Sequence, residues 1–174
     1  MKLLFLYPED RLNLHFTLPT AEYERIWSQH SDRIQQSFEK YTGLKFQQNE
    51  IRVKVHDGTS MSGTLTTPML LNALNYTLSE KQSALIHELG HRLLGGNGIG
   101  SQIEDEKSCI EEEHTCLYLF ECDVLKDLYG EDVYAERIAR LKVADAQAYQ
   151  SVEGLSFEER QAKLQRLIAM DEPW

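Results

Sequence analysis

The first half of the chain sets short apolar runs among polar stretches, and the second half carries helical periodicities. Residues 3–7 form an apolar run behind Lys2, cut off by Pro8-Glu9-Asp10-Arg11. That run is too short for an export core and reads as a buried first strand. Leu12, Leu14 and Phe16 alternate with Asn13 and His15, the period of a half-buried strand. Pro19-Thr20 then opens an amphipathic helix to about Tyr41, with Gly43 as its stop. The stretch 45–55 holds the next strand, clearest from Ile51 to Val55, and Asp57-Gly58 is a turn dipeptide. Residues 60–67 read as a loop or an irregular edge, and Pro68 bars a central-strand position beside it. The stretch 69–74 reads as a short strand or a continuation into a turn.

Ser79 and Gln82 stand at capping-box spacing ahead of Ala84, Leu85, Ile86, Leu89, Leu93 and Leu94, so a helix is predicted there. Gly95-Gly96-Asn97-Gly98 ends it. A long helix is predicted from 104 to about 129, stopped by Gly130, with two more over 132–149 and 156–170. Ser156 and Glu159 form a second capping box. The pattern predicts one α+β domain over 1–174: a small, mostly antiparallel sheet in about 1–75, packed on a helical half in about 76–174.

Charge narrows the function. The net charge of −10 disfavours phosphate backbones and anionic lipid, so no nucleic-acid or membrane-surface partner is expected. No apolar run approaches the ~20 residues of a membrane span. The three cysteines, Cys109, Cys116 and Cys122, fall in one predicted helix and include no CxxC pair. They read as thiols suited to a reducing cytoplasm.

The chemistry lies in His87-Glu88-Leu89-Gly90-His91. On a helix, His87 and His91 share a face one turn apart and can aim two imidazoles at one cation. Glu88 sits about 100° further round, where it can reach a metal-bound water as general base. The apolar neighbours Ala84, Leu85, Ile86, Leu93 and Leu94 place the motif against a core, where unpaired histidines and a carboxylate would be costly. The competing reading is a helix whose His and Glu face solvent or satisfied partners.

The run from Ile86 to His91 resembles the active-site helix of the zincin metallopeptidases, with Arg92 departing from the usual pattern. Leu94 and Asn97 stand where the metzincin branch would need Gly and His, so the resemblance is to the gluzincin side. The stretch 112–130, with His114, Leu117 and Leu128-Tyr129-Gly130, also resembles small bacterial HExxH proteins. The resemblance covers the two helices, roughly a quarter of the chain. It implies a single Zn²⁺ with its third ligand on the second helix. His114 is the favoured third ligand beside His87 and His91, and Glu113 and Glu112 are the alternatives. A run of acidic residues is otherwise a solvated face. Oxyanion stabilisation would fall to Tyr118, Tyr129, Tyr149, His56 or Arg92. Extended peptide would pair with an edge strand at 51–55 or 69–74.

The expectation is a zinc-dependent metallopeptidase hydrolysing peptide or protein substrates, with Glu88 as its base. The alternatives are a zinc-binding module of zincin fold with little catalysis, and a helical interaction protein with an accidental motif.

Overall fold

The computed structural model describes residues 1–62, 67–75, 77–99 and 113–170. Strand β1 (Lys2–Leu6) is followed by helix α1 (Leu14–Thr42), strands β2 (Glu50–His56) and β3 (Met69–Asn72), and helix α2 (Leu78–Gly96). A helical stretch at 113–118 leads through a turn at 119–120 into α3 (Glu121–Tyr129). Helices α4 (Glu131–Ala144), α5 (Ala146–Gln150) and α6 (Phe157–Met170) complete the described chain. Among the described residues, no helix is long and apolar enough to cross a membrane.

The sheet corrects the expected mostly antiparallel arrangement. Its order is β1-β2-β3 and both pairings are parallel, with Phe5 opposite Val53 and Val53 opposite Met69. Two features of the sequence suggest otherwise. Leu12, Leu14 and Phe16 are not a strand: α1 already begins at Leu14, and Leu12 and Leu14 are 87% and 59% exposed. No hairpin partner for β1 therefore exists there, and α1 is the crossover that returns the chain to run parallel. The second feature is the alternation in β2, where Ile51, Val53 and Val55 are buried while Arg52 and Lys54 are exposed. That pattern is typical of one-sided antiparallel sheets. Here it belongs to a parallel sheet with one polar face.

Helix α1 packs on β1, β2, α2 and α3, and α2 packs on β3. Tyr23, Ile26, Ile34 and Phe38 of α1 join Leu85, Ile86, Leu89 and Leu93 of α2 in one core. Capping of α2 falls two residues earlier than Ser79–Gln82. Thr77 Oγ1 accepts from Glu80 N at 3.1 Å, and Glu80 Oε2 accepts from Thr77 N at 2.7 Å. The Ser156–Glu159 box is present, with bonds of 2.7 and 3.2 Å.

The helix expected over 104–129 is interrupted, because Phe120 leaves helical geometry at φ −134°. Its portion at 104–112, including Cys109 and Glu112, lies outside the described residues. Cys116 and Cys122 are both buried thiols. The helix expected over 132–149 divides at Asp145 into α4 and α5.

Candidate metal centre

Helix α2 presents His87 and His91 one turn apart, with ring centroids 4.7 Å from each other. His114, from the stretch 113–118, brings its ring centroid to 5.2 Å from both. One ligand atom from each of His87, His91 and His114 lies within 4.8 Å of the others. The Nε2 atoms of His87 and His91 are 3.2 Å apart. A tetrahedral zinc with Zn–N bonds of about 2.0–2.1 Å needs nitrogens about 3.3–3.4 Å apart. The ring spacing of the α2 pair therefore suits such an ion.

Each imidazole has a carboxylate at its other nitrogen. Nδ1 of His87 lies 3.2 Å from Glu121 Oε2, Nδ1 of His91 lies 2.9 Å from Glu113 Oε1, and Nδ1 of His114 lies 2.5 Å from Asp145 Oδ2. A carboxylate that accepts from Nδ1–H selects the tautomer whose Nε2 lone pair is free for a cation. Glu113, an alternative ligand by sequence, thus stands behind His91. At His87 a second group competes, since Arg137 Nη2 is 2.9 Å from the same Nδ1. Arginine only donates, so Nδ1 meets Arg137 as an acceptor in one tautomer and Glu121 as a donor in the other.

The charges follow the geometry. Burial by itself would raise Glu121, but Arg137, whose Nε donates to Oε1 at 2.8 Å, and His87 outweigh it and hold the carboxyl at about 2. Burial pulls His87 down to about 4. Burial also opposes charge on His91, yet the Glu113 bond and charge leave it raised. Burial pushes Glu88 up to about 7, against the opposing charge of His91. Glu88 is 3% exposed, and its Oε2 has no hydrogen-bond partner among the described residues.

A cleft of roughly 520 Å³ opens over the cluster, with His87, Glu88, His114, Tyr118, Arg137 and Asp145 in its walls. Tyr118 is the single oxyanion candidate from the sequence that lines it, and its hydroxyl donates to Asp145 Oδ2 at 2.6 Å. The others lie elsewhere. Tyr149 packs edge-on against Tyr118, Tyr129 packs on His30, and His56 bonds to the Thr59 carbonyl. Arg92 is buried and donates to the carbonyls of Ser62 and Thr67.

The edge-strand expectation at 69–74 also changes. β3 is an edge strand, but Leu70 exchanges both backbone bonds with Met61, at 2.8 and 2.9 Å. Two residues on, Asn72 N donates to Ser60 Oγ and Asn72 O accepts from the Tyr23 hydroxyl. The other candidate, at 51–55, lies in the central strand β2.

Sequence reasoning missed Glu121, Arg137 and Asp145. Glu121 had a faint signal, because it follows His114 by seven residues and would share its face in an unbroken helix. Arg137 and Asp145 arrive from helices whose docking no local pattern encodes. No protein-family model, no curated protein and no solved structure matches the chain.

Proposed function

We propose that the chain is a zinc-dependent hydrolase acting on peptide bonds. The observation that supports this most is the convergence of His87, His91 and His114, each with a carboxylate at Nδ1. Three neutral nitrogens beside an open cleft form the donor set of a catalytic rather than a structural zinc. An ion held by these residues supplies Lewis acidity, which acidifies water and polarises a carbonyl oxygen.

The side chains supply the remainder. Glu88 lines the same cleft, and burial raises its carboxyl to about 7. It accepts the proton of the attacking water and returns it to the leaving amine. Arg137 lines the cleft as a fixed donor for the carbonyl oxygen as negative charge develops there. The buried thiols Cys116 and Cys122 support a reducing cytoplasm as its location.

A second reading is a metal-holding module without turnover, favoured by the occupied outer edge of β3. One experiment separates the two. Protein purified without chelator should carry about one zinc per chain, and less than about 0.2 equivalents removes the metal site. Glu88→Gln should keep the zinc and lose hydrolysis of a mixed peptide library. Zinc without turnover by the wild type favours the module.

A further inference from the structure

We infer that Asp145 is the positioning carboxylate of His114, and that through it metal binding is coupled to the seating of α4 and α5 on the centre. The inference rests on the reading of the three histidines as a metal site. Asp145 sits at the junction of the two helices, where it ends α4 and begins α5. An aspartate at a helix N-cap ordinarily accepts from the first backbone N–H groups of its own helix. Asp145 makes no such side-chain bond. Its Oδ2 instead accepts from both His114 Nδ1, at 2.5 Å, and the Tyr118 hydroxyl, at 2.6 Å.

The other two imidazoles take their carboxylates from residues no later than the start of α3, 34 residues downstream for His87 and 22 for His91. Glu113 belongs to the same stretch as His114, and Glu121 opens α3. His114 alone among the three takes its carboxylate from beyond α3, 31 residues downstream. Tyr118 reinforces the link. It follows His114 by one helical turn, its ring lies 5.6 Å from the imidazole, and on its far side it packs on Tyr149 of α5 at 6.4 Å. A cation that fixes the His114 ring therefore favours the seated junction. By reciprocity, a loosened junction weakens the hold on the cation.

The test uses the full chain and zinc itself. Zinc affinity is measured by competition with a chromophoric chelator for the wild type, Asp145→Asn and Tyr118→Phe. Amide exchange over residues 141–150 is followed with and without zinc. Asp145→Asn should weaken zinc by about 10- to 100-fold. Tyr118→Phe keeps the ring and removes one bond to Asp145, so it should weaken zinc by about threefold. Zinc should slow exchange over 141–150 in the wild type. Should Asp145→Asn not fold, the Tyr118→Phe affinity and the wild-type exchange still decide. Wild-type affinity retained in the variants, or exchange unaltered by zinc, overturns the coupling while leaving the metal site intact. A wild type that binds no zinc overturns the metal reading itself.

Discussion

Gly90 lies against Leu117 so closely that a Cβ at position 90 would stand 2.2 Å from the Leu117 Cδ1 atom. The contact sets how near α2 comes to the stretch 113–118, and so how near His114 comes to His87 and His91. Leu117 is fully buried, so its methyl group cannot retreat without displacing other core side chains.

Gly90→Ala should therefore cost about 1–3 kcal/mol of stability. It should also separate His114 from the α2 pair. Chemical denaturation checks the first effect, and a zinc titration showing weakened binding checks the second. A variant as stable as the wild type with full zinc affinity contradicts both.

Glu121→Gln removes the buried carboxylate that pairs with the half-buried Arg137. Loss of one member of such a pair costs about 3–5 kcal/mol. The pH dependence has a definite sign. The Glu121 carboxyl is held at about 2 in the folded protein, below its unfolded value of about 4.3. Its contribution is present above the unfolded value and is lost as pH falls toward about 2. Acid unfolding of the wild type should show this loss, and melts of Glu121→Gln should lack it.

Glu88 behaves oppositely. Its carboxyl is raised to about 7, so its contribution is complete below the unfolded value and is lost as pH rises through about 7. Metal-free Glu88→Gln should match the wild type near pH 4 and exceed it by about 1–3 kcal/mol near pH 8. Calorimetry at the two pH values checks this. A variant less stable at pH 8 contradicts a net cost for burying the ionised Glu88 carboxylate.

Arg92→Met removes the donor that ties α2 to the carbonyls of Ser62 and Thr67. The loss should cost about 1–3 kcal/mol. It should speed hydrogen exchange at the Met61 and Leu70 amides, which hold their bridge beside this tie. Unchanged exchange at those two amides assigns Arg92 no role in holding the segment.

The histidine pair was legible because its information is local. His87 and His91 need only a helix, and Leu85, Ile86, Leu89 and Leu93 specify one. His114 was legible as the histidine on the next helix, although its partner was not. Asp145 falls inside the single helix predicted over 132–149, and only the break there and the docking of α4 and α5 turn its carboxylate toward His114. The sheet was half legible. Ile51, Val53 and Val55 report which face of β2 is buried, but alternation is silent on the direction of neighbouring strands. Leu12, Leu14 and Phe16 mimic a strand because three apolar residues fit a short window of either period.

With Met61, Ser60 and Tyr23 already occupying the hydrogen-bonding groups of Leu70 and Asn72, the sheet keeps, among the described residues, one rim on which a foreign strand could template itself. That rim is β1, short and headed by the exposed Lys2. Among the described residues, the border open to strand addition is therefore five residues long and led by a charged side chain, a common guard against aggregation.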